Sequence, residues 1–533
     1  MTQPEELKKD EPLVWSTGKG VDVWNLFRAC ISGDFEAVQR LIAKDASLVR
    51  CHYNYRKPIY FAVRENQLAI ADFLLHRDPD PIGLAVNDSL LDIARDRGYA
   101  EMETLLERKL ATLHNVSPKG EAVAEAIRQL DAARMESLLE ASPELLHAVD
   151  ERSNQPIHWA VMTRQLDLLD KLLARGANIH AKRCDGARPI QLTNGDYHFR
   201  GWDCVPKDTS PTPRAVYEHL RARGAECDIC TAAYFGDLEQ VRTLCDQDPS
   251  LANRPSDYVT YYACSGTPLR NAAAGGHIEI VKLLLDRGAD PNLPEEGIAP
   301  RGHALHSAVC RGYVDIVKLL LQHGAHPNVE IESSADTLRM AIERDPKMVE
   351  LLCSHGAASK VHLLAYYGDV RTAAAVFAAN PSLANDPEAL NNAAREGHEA
   401  FVRLMLHHQP ELAKRVSGDA KTRELSEFLF ARGADPNRAD WLGVAPLHQF
   451  ARRGDIEKAA LFLDHGANPH ARDEDICSTP LGWAAKFGKT AMVEFLLSRG
   501  AQPDRPDDPP WAAPLAWATR RGHESIVGLL TAR

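Results

Sequence analysis

A near-regular repeat of short helical units is the feature of this sequence that most limits its possible folds. The same small, aliphatic and glycine positions recur in "PLRNAAAGGHIEIVKLLLDRGADPN" (268–292), "ALHSAVCRGYVDIVKLLLQHGAHPN" (304–328), "PLHQFARRGDIEKAALFLDHGANPH" (446–470) and "PLGWAAKFGKTAMVEFLLSRGAQPD" (480–504). One such unit cannot bury its own apolar faces, so each unit has to stack on its neighbours. The repeat therefore predicts an array of stacked units.

Each unit contains the signals of two helices joined by a tight turn. Pro268 suits the first turn of a helix, where the backbone amide has no partner to lose. Gly276 is positioned to end that helix in the left-handed conformation. Residues 280–285 then carry the 3-4 apolar spacing of a second helix, which Gly288 ends. Asp290, Pro291 and Asn292 provide a reversing loop, here called a finger loop.

These units resemble a known repeat family. "TPLRNAAAGGH", "APLHQFARRGD" and "STPLGWAAKFG" are similar to the ankyrin-repeat signature T-P-L-H-x-A, which has a period of about 33 residues. The resemblance covers nearly the whole chain. It implies an all-α fold, an α-solenoid of stacked helix-turn-helix repeats with extended central finger loops. It raises the expectation of protein binding and says little about which ligand is bound.

The residue at the Leu position of the motif marks each repeat. We place sixteen repeats, at Leu26, Ile59, Leu91, Val123, Ile157, Ile190, Ile229, Leu269, Leu305, Leu338, Val361, Leu390, Lys414, Leu447, Leu481 and Leu515. The steps from Leu26 to Ile190 are 32 to 34 residues long, close to the family period of about 33. The steps that end at Val361 and Lys414 are only 23 and 24 residues long, as if a finger loop were deleted.

The three steps between Ile190 and Leu305 are longer than the period, at 39, 40 and 36 residues. Insertions in such arrays map to loops on one face, so we expect three long loops (193–213, 256–266 and 293–303) to form one surface. We accordingly divide the chain into an N-terminal segment (1–23), N-terminal repeats (24–189), irregular central repeats (190–303) and C-terminal repeats (304–533).

Aromatic and charged residues fill these long loops. The predicted partner-binding residues are Trp202, Asp203, Asp257, Tyr258, Tyr261, Tyr262, Glu295, Glu296, Arg301 and His303. Tyr and Trp give large contact areas at low entropic cost, and carboxylates select basic or hydroxyl-rich partners. An alternative is that the aromatic side chains only pack the long loops onto the first helices. The two roles can coexist.

We expect a non-catalytic recognition or scaffold protein that binds a protein partner through the concave face and these loops. The alternative is a carbohydrate-active hydrolase or lyase, in which Asp203, Asp257, Glu295 and Glu296 converge beside Trp202. A glycan or small polar ligand stays possible on that alternative. Neither a phosphate-binding glycine loop nor a G-x-S-x-G elbow occurs, and no cofactor is expected.

Composition restricts the classes of binding partner further. A net charge of −12 without a basic stripe disfavours nucleic acid and anionic lipid. The first twenty residues lack the layout of a signal peptide, and no apolar run of about 18 residues occurs, so we expect a cytoplasmic protein with no membrane contact. The eleven cysteines are scattered, as in reduced proteins.

Metal binding and histidine chemistry have weak signals. Cys227 and Cys230 form one C-x2-C half-site, but no second close pair accompanies it, so we expect ordinary thiols. Histidines of the repeat motif, such as His158, His306 and His448, are expected to hydrogen-bond neighbouring turns. The histidines outside the motif, which are the better candidates for a site, are His52, His198 and His303.

Overall fold

The computed structural model describes residues 1–78, 89–195, 206–207, 211–332, 336–358 and 360–532. The chain divides into two compact units. The first, here called the long unit, comprises residues 6–358, and the second, the short unit, comprises residues 1–5 and 359–533. The division falls inside the series of repeats from 304 to 533.

Both units are built mainly from paired helices. The long unit contains α1 (Gly20–Ser32), α2 (Phe35–Lys44), α3 (Pro58–Arg64), α4 (Leu68–Leu75), α5 (Leu90–Arg97), α6 (Ala100–His114), α7 (Pro118–Arg128), α8 (Ala132–Ala141), α9 (Pro156–Met162), α10 (Leu166–Ala174), α11 (Pro213–Ala222), α12 (Ile229–Phe235), α13 (Leu238–Gln247), α14 (Pro268–Gly275), α15 (Ile278–Asp286), α16 (Ala304–Arg311), α17 (Val314–Gln322), α18 (Thr337–Ile342) and α19 (Pro346–Ser354). The short unit contains α20 (Val361–Tyr367), α21 (Val370–Ala379), α22 (Pro387–Glu396), α23 (Glu399–His408), α24 (Arg423–Phe430), α25 (Pro446–Arg453), α26 (Ile456–Asp464), α27 (Pro480–Lys486), α28 (Thr490–Ser498), α29 (Pro514–Arg520) and α30 (Glu524–Thr531).

The ends of the helices follow from the sequence signals. Pro268 occupies the first turn of α14, and the Thr267 hydroxyl accepts a hydrogen bond from the Arg270 amide as its N-cap. Gly276 has φ of 77°, and its amide donates to the carbonyls of Ala272 and Ala273. The predicted start and end of this unit are therefore confirmed.

Stacking joins like helices of successive repeats. In the long unit α12 packs against α14 and α14 against α16, while α13 packs against α15 and α15 against α17. The apolar stripe of α15 is buried in this stack: Ile280, Val281, Leu284 and Leu285 are all at most 9% exposed. The all-α solenoid predicted from the repeat is thus confirmed, and the described residues form isolated β-bridges but no β-strand.

All but two of the sixteen repeat markers lie in first helices. Ile190 lies in a single 3-10 turn, Pro189–Leu192, which stands where a first helix would be. The Lys414 marker is wrong, because Lys414 lies in the 3-10 helix Pro410–Arg415, which follows the second helix α23. Similar 3-10 helices follow other second helices, for example Pro249–Asn253 and Pro381–Ala384. The D/N/Q-P-x-L-A pattern of these segments therefore marks the end of a repeat and not the start of a new one.

The short unit has its own core and holds the chain's first residues. Phe377 and Phe401 are fully buried in a cluster of aliphatic side chains. The Thr2 amide donates to the Trp441 carbonyl at 3.0 Å, and the N-terminal ammonium pairs with Glu474. Residues 1–5 therefore lie on finger loops of the short unit.

Candidate functional site

Four loops of the long unit lie side by side, and we call them the central loops: residues 178–188, 254–266, 291–303 and 327–332. Lys182 Nζ lies 2.7 Å from Asp257 Oδ2 and joins the first two. The Thr267 amide donates to Glu295 Oε1 at 3.0 Å, which joins loop 291–303 to the end of loop 254–266. The Glu332 amide donates to the Ile298 carbonyl at 3.0 Å and joins the last two.

This arrangement differs in one respect from the expected surface of three long loops. In the sequence, the extra residues of segment 193–213 follow the 3-10 turn Pro189–Leu192 and precede α11, so they fall within one repeat and do not lengthen a finger loop. Most of that segment, with the predicted residues His198, Trp202 and Asp203, lies outside the described residues. The loop that lies beside 254–266 is instead 178–188.

The aromatic side chains of loop 254–266 are largely turned inward. Tyr258 is 1% exposed, and the Arg183 guanidinium lies 5.6 Å from the centre of its ring. Tyr261 packs on a small apolar cluster formed by Ala299, Val329 and Ile331. Tyr262 is half-buried. Tyr258 and Tyr261 thus give the loops a core of their own, which is the packing role considered above.

Arg270 fixes the path of loop 254–266 from within. Its side chain is 3% exposed and donates to the carbonyl of Thr260 at 2.6 Å, to that of Tyr262 at 3.2 Å and to that of Tyr261. It also lies 3.0 Å from Glu295 Oε2. The Arg270 guanidinium therefore donates hydrogen bonds to several buried loop carbonyls, which lie outside any helix or strand.

Glu295 completes this network. Its carboxylate is fully buried, accepts hydrogen bonds from the Thr267 amide and hydroxyl, and lies 3.2 Å from His303 Nδ1. Burial alone would raise the pKa of Glu295, but Arg270, His303 and the Thr267 amide lower it to about 2. Burial and Arg270 lower the pKa of His303. Glu295 and His303 therefore lie inside the loops, and no partner can reach them without displacing the loops.

Acid is expected to destabilise the long unit through Glu295. Because its pKa falls from an ordinary 4.5 to about 2 on folding, the stabilisation is complete above pH 4.5 and is lost as the pH falls toward 2. A fall of this size corresponds to about 3 kcal/mol. Urea unfolding at a series of pH values should give a shallower acid dependence for Glu295→Gln than for the unchanged chain. Equal dependence in both would contradict this assignment.

The exposed members of the predicted set are Asp257, Glu296 and Arg301. The Asp257 side chain is 69% exposed, and its pKa is lowered by the hydrogen bond from Lys182. Glu296 Oε1 lies 3.3 Å from Arg50 Nη2, a residue of the first repeat. Val259, two residues from Asp257, is an exposed apolar side chain. The predicted residues that are exposed on the central loops are therefore all charged.

The sequence did not single out several charged residues of this region, among them Lys182 and Arg270. Arg270 occupies the position at which the repeat motif has His, as in His158 and His448, and this departure was a usable signal. His158 and His448 bond as the motif predicts, with Nε2 at 3.1 Å and 3.0 Å from the carbonyls of Ala181 and Ala471. His306 departs from the prediction: its Nε2 lies 3.2 Å from Cys310 Sγ on the same helix, and its buried Nδ1 has no hydrogen-bond partner in the described part of the chain.

The Cys227 and Cys230 thiols are buried in the same region. Cys230 Sγ donates to the Gly266 carbonyl at 3.2 Å, and burial raises the pKa of both thiols. Within the described residues no group of three or more His, Cys, Asp or Glu could hold a metal ion. Of the carboxylates in the carbohydrate-enzyme hypothesis, Glu295 is buried in the internal network, where a substrate cannot reach it. Asp203 lies outside the described residues.

Comparison with known proteins decides the family. Models of ankyrin repeats match residues 229–331 and 416–507 (three copies), 26–75 (many copies) and 153–183 (a single repeat), which together make up just over half of the chain. The chain belongs to the ankyrin-repeat family. Ankyrin repeats are a protein-interaction module. No helix among the described residues has the length and apolar character needed to cross a membrane.

Relatives of this ankyrin-repeat protein match only short parts of it. The E3 ubiquitin-protein ligase XB3 of Oryza sativa subsp. japonica is 42% identical over 69 residues, which is 13% of this chain and 14% of that protein. The E3 ubiquitin-protein ligase XBAT32 of Arabidopsis thaliana is 42% identical over 65 residues, 12% of each protein. Ankyrin repeat protein nuc-2 of Neurospora crassa is 24% identical over 169 residues, 30% of this chain and 14% of that protein. The chain thus spans about one seventh of these curated relatives, and the matches carry no catalytic assignment.

Proposed function

We propose that this protein recognises another protein through the exposed surface of the central loops. The observation that carries the proposal is that four neighbouring loops are held side by side by contacts between them, from Lys182 to Glu332. Loops that are ordered before binding lose little conformational entropy when a partner docks. A row of such loops therefore suits recognition better than long loops free to move.

Charge supports a basic partner. The chain carries a net charge of −12, and Asp257 and Glu296 are exposed carboxylates at the surface of the central loops. Their ion pairs with Lys182 and Arg50 are solvent-exposed, and such pairs contribute about 0 to 1 kcal/mol. A partner that offers Lys or Arg can therefore replace them at little cost. Arg301 and Val259 add one cationic and one apolar contact to the same surface.

Charge reversal tests this proposal. The double variant Asp257→Lys, Glu296→Lys should bind a partner recovered with the unchanged chain about tenfold more weakly, because each reversal replaces an attraction by a repulsion. The dissociation constant of the purified pair, measured by calorimetry at several salt concentrations, gives the result. The matched control is Glu239→Lys, Asp286→Lys, which reverses two exposed carboxylates on the second helices α13 and α15.

Two results would reject the central loops as the binding surface. One is unchanged affinity in the double variant. The other is an equal loss in the control, which would mean that net charge alone governs binding. Circular dichroism of both variants has to retain the helical signal for either comparison to count.

A further inference from the structure

A cavity of about 340 Å³ lies between the N-terminal segment of the long unit, the finger loop of its first repeat and the end of the central loops. Its volume lies near the lower end of the range of about 300–1,000 Å³ that is usual for small-molecule sites. The side chains that determine its chemistry include Glu6, Glu11, Trp15, His52, Tyr53 and Glu332. Glu332 belongs to both regions: its backbone amide joins the last two central loops, whereas its side chain lines this cavity.

The N-terminal wall of the cavity is fixed by several contacts. Leu7 is fully buried where the 3-10 helix Glu6–Lys8 packs on α1. The Thr17 hydroxyl donates to the Ser47 carbonyl at 2.7 Å, and the His52 amide donates to Ser16 Oγ at 2.7 Å. This wall is therefore attached to the first repeat at both its ends.

The opposite wall is held by one contact to the N-terminal segment and one to a repeat far away in the sequence. The Tyr53 hydroxyl donates to Glu6 Oε2 at 3.0 Å, and the Tyr55 hydroxyl hydrogen-bonds the Glu332 carboxylate. Both residues at the tip of the finger loop have left-handed backbones, with φ of 45° at Asn54 and 61° at Tyr55. A tyrosine in that conformation costs about 1–2 kcal/mol, which the contact with Glu332 helps to offset.

Among the lining groups without a side-chain partner in the described part of the chain are two hydrogen-bond acceptors. One is the Glu11 carboxylate, which is exposed. The other is the His52 imidazole, which is largely buried beside the cavity. Burial, with a smaller effect from Lys57, lowers the pKa of His52 to about 4. At neutral pH this imidazole is uncharged and has a ring nitrogen that accepts a hydrogen bond.

We propose that the cavity binds an organic cation, an ammonium or guanidinium group on an aliphatic stem of the length of a Lys or Arg side chain. The lining holds three carboxylates, on Glu6, Glu11 and Glu332, against the single ammonium of Lys9. The Trp15 and Tyr53 rings give faces on which a cation or its stem can lie. The unpartnered acceptors at Glu11 and His52 match the N–H donors of such a group.

Butylguanidinium and its neutral isostere butylurea test the proposal by calorimetry on the full chain. We expect saturable one-to-one binding of butylguanidinium that weakens with added salt, and no binding of butylurea. Glu11→Gln should weaken binding about fivefold, since it removes one charge and keeps the shape. Trp15→Leu should weaken it as well. Glu36→Gln, an exposed carboxylate on α2, is the matched control and should change nothing.

N-acetyl-arginine methylamide distinguishes the two sources of such a cation. Tighter binding of this capped residue than of butylguanidinium indicates a protein side chain, and weaker binding indicates a free small molecule; both results support a cation site. Equal binding of butylurea, or butylguanidinium binding that Glu11→Gln and Trp15→Leu leave unchanged, would overturn it. The absence of saturable binding would overturn it too.

Discussion

Arg270→Met is expected to lower the free energy of unfolding of the long unit by about 3–5 kcal/mol, because it leaves the Glu295 carboxylate buried without its cation. The same change removes the donor for the carbonyls of Thr260 and Tyr262. Hydrogen exchange of loop 254–266, followed with urea unfolding, should show faster exchange there than in the distant helices of the same unit.

Arg254→Met is the matched control for this change. Arg254 pairs with Asp248 in the same region at 3.0 Å, but its side chain is 59% exposed, so its loss should cost about 1 kcal/mol or less. The double variant Arg270→Met, Glu295→Leu removes the buried charge yet still leaves the loop carbonyls without a donor. If it were as stable as the unchanged chain, the carbonyl contacts of Arg270 would be irrelevant. If Arg270→Met resembled Arg254→Met, the network itself would have no structural role.

Leu7→Ala is expected to cost about 2–4 kcal/mol, since it deletes a fully buried side chain that anchors the N-terminal segment on α1. The loss should be local, with faster hydrogen exchange in residues 6–19. Because Glu6 and Glu11 belong to that segment, butylguanidinium should also bind more weakly.

Leu113→Ala provides the comparison for Leu7→Ala. Leu113 lies on α6 and is 42% exposed, so the same truncation should have an effect below about 1 kcal/mol. Unchanged exchange of residues 6–19 in Leu7→Ala would mean that other contacts hold the segment. Unchanged cation binding together with faster exchange would mean that the segment is not a wall of the binding site.

The repeat itself was predictable because its signals are local. Pro268 and Gly276 set the ends of α14 by backbone chemistry that each residue carries alone. The assignment of a repeat at Lys414 was wrong, because a Pro that begins a 3-10 turn after a helix resembles a Pro that begins a new first helix. Local sequence signals do not distinguish these two kinds of Pro.

The site was less predictable, because a side chain's direction depends on its neighbours. Tyr258 and Asp257 are adjacent, yet one is buried under Arg183 and the other is exposed beside Lys182. The contact of Arg50 with Glu296 depends on small rotations added over several repeats, which no single repeat records. His52 was singled out by its position outside the motif, but the cavity around it could not be foreseen.

The contacts of the first repeat with Glu296 and Glu332 have a consequence for how the long unit unfolds. An array in which each repeat contacts only its neighbours can unfold from one end, one terminal repeat at a time. The contacts of Arg50 with Glu296 and of Tyr55 with Glu332 join residues 246 and 277 positions apart. They penalise that route, since the first repeat cannot unfold without breaking them. Opening at this end should therefore be more cooperative than the repeat architecture alone would dictate.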